Sequence, residues 1–241
     1  MIEVGRVCEI ARYPVKSMAG QSLDAAVLGW YGLAGDRRFA FRRVDDRGGF
    51  PVLSASRYPE LLLYHPHGLD ESAGEPLPTH VRTPDGRDLE LAGEELAAAI
   101  SQRSGLRVEL LRLRHGIFDE GAVSVITTTT IAGIGREAGL DLDRRRFRAN
   151  VVVETIDSPP FGEDAWVGRT MRFGDTKEGP ALSLTIPDER CMMINLSPDT
   201  AEQDARVMKT VVRLNGNNAG VYATPVACGR IALGDRVWVG S

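Results

Sequence analysis

Four short stretches of the 241-residue sequence carry side chains able to grip an anion or a metal. The run Arg12-Tyr13-Pro14-Val15-Lys16-Ser17 places a cation and a hydroxyl just after a proline that ends a strand, where backbone and side-chain donors can converge on an anion. A solvated turn is the competing reading. The run Gly35-Asp36-Arg37-Arg38-Phe39 opens a strand, so its two arginines point to opposite faces and at most one shares a site with Lys16; the alternative is a surface salt bridge to Asp36. In Arg144-Arg145-Arg146-Phe147-Arg148-Ala149-Asn150, leading into Val151-Val152-Val153, a strand puts Arg146, Arg148 and Asn150 on one face, with planar donors suited to phosphate or a ring carbonyl. A charged strand edge explains the same cluster. Finally, Cys191 follows Arg190 at the end of a strand-like run, where a neighbouring guanidinium favours the thiolate that ligates metals or attacks electrophiles. An inert core cysteine is the alternative.

The rest of the composition narrows the field. Cys8, Cys191 and Cys228 lie far apart, which argues against a disulfide framework, a structural zinc site or a four-thiolate cluster and for a reducing compartment. Cys8 and Cys228, among apolar neighbours, are expected to be inert core residues. His65 and His67 complete no metal pattern. Neither a Gly-x-Ser-x-Gly elbow nor a P-loop is present. With 33 acidic against 29 basic residues, the chain lacks the overall basicity of a nucleic-acid binder, so an anionic ligand must be met by local charge. The first ten residues lack a secretory pattern, and no stretch approaches the ~18 apolar residues of a membrane span. The expectation is a cytoplasmic protein with no nucleic-acid or membrane partner.

The elements that must position these residues are short. Apolar alternation broken by Gly, Asp and Pro predicts strands and tight turns through the first half. The strand containing Phe39 and Phe41 ends in a hairpin-like turn at Val44–Gly49, and Thr79–Leu91 forms a hairpin around Pro84-Asp85-Gly86. Helices are predicted from Glu94 to Ser104 with Gly105 closing the end, from the Thr127–Thr130 run to Gly139, and from Thr200 to Arg213. The last residues, Gly220–Ala223 and Gly229–Val239, predict two closing strands. Residues 70–78 form an exposed loop. Strands without regular βαβ alternation favour an α+β or barrel architecture over a doubly wound sheet.

Taken in order, the motifs Arg12–Ser17, Gly32-Leu33-Ala34-Gly35-Asp36-Arg37, Arg146–Asn150, Arg190-Cys191 with Ser197-Pro198-Asp199-Thr200, and Gly229–Asp235 resemble the MOSC family, named for the C-terminal domain of molybdenum-cofactor sulfurase, and in particular its amidoxime-reducing members. The resemblance implies an α+β fold, predominantly an antiparallel β-barrel with a few short helices and an N-terminal β-rich subdomain. It divides the chain into an N-terminal β-barrel-like domain at 1–110 and a MOSC domain at 111–241. It implies a bound molybdenum cofactor (molybdopterin), with Cys191 as molybdenum ligand and catalytic residue and Lys16, Ser17, Arg37, Arg148, Asn150 and Asp119 as cofactor contacts. It further implies reduction of small N-hydroxylated compounds with electrons from an external ferredoxin- or cytochrome-like donor, since no cysteine cluster is present for an internal one. Three positions depart from the family pattern: Asp188 replaces a cysteine, Ala149 a proline, and Ala201 a glycine. A carrier that binds the cofactor or a persulfide through Cys191 without turnover, and a barrel that has lost its site, are the other readings of the same fold.

Overall fold

The computed structural model describes residues 1–176 and 178–240. Its centre is a closed seven-stranded barrel in the order Val151–Thr155, Val123–Thr127, Asn218–Ala227, Ala181–Glu189, Thr170–Phe173, Arg236–Gly240 and Ile2–Arg12, the last returning to the first through Gly5–Thr155 to Ile10–Val151. All neighbours are antiparallel except Val123–Thr127 with Val151–Thr155, which are parallel and joined through the helix Thr128–Ala138. The α+β, barrel-dominated architecture is the one the sequence predicts. The N-terminal strand and the strands beyond residue 122 build one barrel together.

The period-two rule of strands sorts the barrel's side chains. Val7, Ile10, Val123, Val125, Val151, Val153, Leu182, Leu184, Val221 and Val237 point inward and exclude water. The intervening Ile126 and Val152 face outward and are covered by the helices Thr128–Ala138 and Arg206–Asn215, whose Ile131, Ile134, Val207 and Val211 complete a second apolar layer. Ser124, between the inward Val123 and Val125, is the polar member of its strand turned to the outer face. Each such burial of a large aliphatic side chain is worth roughly 1.5–3 kcal/mol.

Residues 13–18 and those from Phe39 to Arg112 build a lobe with its own core of Val15, Met18, Phe39, Phe41, Leu53, Leu61, Tyr64, Val81, Leu96 and Ile100, whereas Leu28 and Leu33 pack with the barrel. A two-stranded pair (Phe39–Arg43 with Val108–Arg112), a three-stranded sheet (His65–His67, His80–Arg82, Asp88–Glu90) and the helix Glu94–Ser104 surround it. The second strand of the Thr79–Leu91 hairpin follows the predicted turn. Around Val44–Gly49 the return is only a single bridge, Arg42 with Val52, because the strand's main partner comes from residues 108–112. Gly105 and Gly139, at φ 69° and 65°, close their helices in the left-handed conformation that suits glycine.

The third helix starts later than the Thr200 expectation, at Arg206. Residues 197–204 form a turn instead, with Ala201 N–H on Ser197 C=O (2.9 Å) and Asp204 N–H on Asn195 C=O (2.8 Å). Ala201 there has φ 58°, the left-handed backbone for which glycine is the low-energy residue. At the start of the second helix the carboxylate of Glu163, fully buried, accepts from Thr127 N–H (3.3 Å), Thr127 Oγ1 (2.9 Å) and Thr130 Oγ1 (2.7 Å). Burial holds its pKa above the ordinary value, against those hydrogen bonds. No helix among the described residues is long and apolar enough to cross a membrane.

Candidate functional site

Where the lobe meets the barrel, a cavity of about 430 Å³ opens, lined by Lys16, Ser17, Arg37, Phe50, Asp119, Ser124, Arg148, Asp188, Cys191 and Tyr222 among others. Two backbone segments of the N-terminal part run side by side on its floor. After the first barrel strand, Arg37 N–H donates to Tyr13 C=O (2.8 Å), Phe39 N–H to Pro14 C=O (3.0 Å) and Lys16 N–H to Phe39 C=O (2.8 Å). Lys16 and Arg37 are thereby fixed beside each other.

One wall of the cavity is cationic. Arg37 is ion-paired with Asp36, a fully buried carboxylate that also accepts Tyr13 N–H at 2.6 Å. The expected surface salt bridge is therefore a buried one, and it aims Arg37 at the cavity. Burial works against the Arg37 charge, but Asp36 outweighs it and holds the pKa above the ordinary value. Lys16 Nζ reaches the exposed Asp119 at 2.8 Å. Burial pulls the Lys16 pKa down, and Asp119 only partly restores it. The carboxyl of Asp119 lies below its ordinary value because Lys16, Arg37 and Arg148 together outweigh its own desolvation.

Arg148 differs from both. Its guanidinium is held by one hydrogen bond, to Met18 C=O at 2.7 Å, and by the ring of Tyr13, 4.2 Å from its centroid. No carboxylate stands at ion-pair distance from it among the described residues. Burial accordingly lowers its pKa to about 10. A desolvated cation without a counter-charge is costly to a fold and is the natural complement of an anionic ligand.

The expectation that Arg146, Arg148 and Asn150 share a strand face is corrected. Arg144–Phe147 is a 3₁₀ turn capped by Asp143, and Arg148 ends it at φ 51°. The break separates the arginines: Arg145 turns outward to Asp143 and Asp199, and Arg146 donates to Asn195 C=O (2.8 Å). Asn150 is not on the cavity wall. Its Oδ1 accepts from Ser124 N–H (3.1 Å) and Arg37 Nη1 (3.4 Å) while Nδ2 donates to Ala11 C=O (3.1 Å), so it ties the floor together beneath Arg37. Ser17, Arg37 and Arg148 all hold left-handed backbones, at φ 68°, 51° and 51°. Each such residue costs ~1–2 kcal/mol, and strain gathered at one concavity points to function.

The part of the lining next to Cys191 is held by a buried ion pair. Asp188 Oδ2 accepts Ser124 Oγ (2.6 Å) and lies 2.8 Å from Arg190 Nη2, while Arg190 donates Nε to Ala219 C=O and Nη1 to Phe147 C=O, both at 2.7 Å. Arg190 thus points into the protein, and the expected partnership of its guanidinium with the next residue's sulfur gives way to one with Asp188. Burial raises the pKa of Asp188, whose Oδ1 has no hydrogen-bond partner, and burial likewise raises that of Tyr222 beside it. Cys191 leads into the 3₁₀ turn Met192–Asn195 with its side chain exposed on the cavity wall. Of the other thiols, Cys8 is half-buried and bonds Val152 C=O, whereas Cys228 is exposed and not the core residue expected of it. Its apolar neighbours in sequence belong to two strands that turn at that point.

The cavity therefore gathers Lys16, Ser17, Arg37, Asp119, Arg148 and Cys191, with Asn150 behind them. Tyr13, Ser124, Tyr222 and Phe50 escape a sequence reading, although Tyr13 lies inside the Arg12–Ser17 run; Asp188 stands out in the sequence only as the position that replaces a cysteine of the family pattern. Among the described residues no cluster of three or more His, Cys, Asp or Glu side chains forms a self-sufficient metal site, so a metal here needs ligands beyond the protein's own. The residues fit such a group: a soft sulfur at Cys191 and, in the same lining, the basic donors Lys16, Arg37 and Arg148, of which Arg148 has no carboxylate partner among the described residues.

A barrel fused to a small β-rich lobe, with a thiol and a cationic wall between them, defines a class of cofactor-sized binding folds. The pattern of the MOSC domain matches residues 112–238, and that of the MOSC N-terminal beta barrel domain matches residues 4–125; the chain belongs to the MOSC family. It is similar to proteins named molybdenum cofactor sulfurase from Drosophila mojavensis, 25% identical over 90% of this chain and 31% of that one, and from Drosophila grimshawi, 24% identical over 90% and 32%. The chain spans about a third of the length of these relatives. In fold it resembles the crystal structure of the YuaD protein from Bacillus subtilis, with a TM-score of 0.54, 14% identity, and coverage of 98% of this chain and 95% of that one.

Proposed function

We propose that the cavity binds the molybdenum cofactor and that the protein uses it to reduce small N-hydroxylated compounds, with electrons from a separate ferredoxin- or cytochrome-like donor. One observation carries the reading: the half-buried guanidinium of Arg148, without a carboxylate partner among the described residues, shares its cavity with the exposed thiol of Cys191. The bound group supplies the two-electron redox change and the oxygen-atom acceptor that an N–O bond requires. The chain's own residues hold and orient it. Cys191 offers a soft sulfur ligand to the metal. Lys16, Arg37 and Arg148, with the hydroxyl of Ser17, present donors to the phosphate and pterin oxygens, while Asp119 restrains Lys16 and Asn150 braces Arg37. The three unpaired thiols suit a reducing, cytoplasmic setting.

The test is purification from a host that makes the cofactor, followed by molybdenum and pterin analysis. Near-stoichiometric metal that disappears in Cys191→Ala is the expected result; absence of metal and pterin from the wild type refutes the reading. Turnover of an N-hydroxylated amidine with a chemical reductant then establishes the reductase. The likeness to proteins named molybdenum cofactor sulfurase, together with the exposure of Cys191, favours a second reading: a carrier of cofactor or sulfur. That protein retains metal and pterin, or a persulfide on Cys191, and shows no turnover.

A further inference from the structure

We infer that Tyr13 is the positioning residue of the cationic wall: its buried ring holds both Arg37 and Arg148 in the orientation that receives an anion. The inference rests on the reading of that wall as an anion site. The guanidinium carbons of Arg37 and Arg148 lie 5.0 and 4.2 Å from the centroid of this one ring. Two like charges so placed repel each other, and the negative face of this ring attracts both at contact distance, alongside the carboxylates of Asp36 and Asp119. The main chain reinforces the arrangement, since Tyr13 C=O accepts Arg37 N–H (2.8 Å) and Tyr13 N–H donates to Asp36, the partner of Arg37. The hydroxyl donates to Ala149 C=O (3.3 Å), one residue beyond Arg148. Tyr13 thus touches one arginine through backbone and ring and the other's segment through ring and hydroxyl.

The ring is also clamped from behind. A Cβ built on the exposed Gly20 comes within 2.5 Å of Tyr13 Cε1 and 2.8 Å of Cδ1. A side chain at position 20 therefore displaces the ring. Gly20 lines no part of the cavity, so it is a lever on the ring alone.

The experiment titrates inorganic phosphate into the cofactor-free chain by calorimetry and follows the Nε–H and Cδ–H resonances of Arg37 and Arg148 by NMR. Tyr13→Phe, which keeps the ring, retains affinity within about threefold. Tyr13→Leu and Gly20→Ala each lose on the order of tenfold; the arginine resonances lose their ring-current shifts in the first and have them altered in the second. Progressively fluorinated phenylalanines at position 13 keep the shape, and so the fold, while draining the ring's negative face; phosphate affinity falls with each fluorine. Affinity unchanged along that series, or a folded Tyr13→Leu that binds like the wild type, overturns the role of Tyr13 while leaving the anion wall intact. A wild-type chain that takes no phosphate instead overturns the anion wall, and the inference with it.

Discussion

Two arginines lining one cavity solve the problem of their charge in opposite ways. Arg190 is neutralised from within, by Asp188 and two main-chain carbonyls, with only Arg190 Nη2 and Asp188 Oδ1 left without a hydrogen-bond partner. Arg148 has one carbonyl and an aromatic face. The contrast separates a charge that organises the fold from a charge held ready for a visitor, and it does so without reference to sequence neighbours, since both residues sit in comparably arginine-rich or acidic runs.

The sharpest way to break the comparison is to remove each arginine in turn. Arg190→Ala strands a carboxylate in the interior and is expected to lose roughly 3–5 kcal/mol of unfolding free energy in urea denaturation. Arg148→Ala deletes an uncompensated cation, so the apo chain keeps or gains stability, while cofactor or phosphate retention weakens by about 1–3 kcal/mol. Equal losses of stability in both variants would erase the distinction. A smaller effect tests whether strain away from the cavity is merely tolerated. Ala201→Gly relieves a left-handed alanine and is expected to raise the melting temperature by the equivalent of about 1 kcal/mol, with no change in ligand binding. Glu163, a third buried charge, is satisfied by hydroxyls rather than by a cation. Its folded-state pKa is raised, so the folded chain keeps a proton that the unfolded chain releases. This contribution is fully present below the ordinary value of 4.5 and declines as pH rises from there through the raised value. Glu163→Gln is expected to flatten that part of the stability profile, and an unaltered slope would assign it to other groups.

Much of this arrangement is written locally. The helices Glu94–Ser104 and Thr128–Ala138 follow from apolar spacing and a glycine stop, and the barrel strands from alternation. Residue type and order also bring Lys16, Arg37, Arg148 and Cys191 to notice. What does not follow from spacing is backbone sign: a strand reading of residues 146–150 cannot anticipate the left-handed Arg148 that turns one guanidinium inward and leaves Arg145 outside. The depth of Asp36, the inward turn of Arg190 and the exposure of Cys228 depend on segments some twenty to forty residues apart or on the turn between two strands, which no local pattern encodes. The same holds for Tyr13, whose partners Arg37 and Arg148 come from two different parts of the chain.

The barrel closes through its most distant residues: Ile2 is registered with Val239, and Gly5 with both Val237 and Thr155. Such a hoop cannot be fastened until its last stave has been synthesised, and assembly must wait on contacts of the longest possible sequence separation, which slows folding. A fragment beginning near residue 111 would lack the stave that seals Val151–Thr155 to Arg236–Gly240. It would bare two raw edges to neighbouring copies, so excising the C-terminal half alone invites aggregation rather than an independent module.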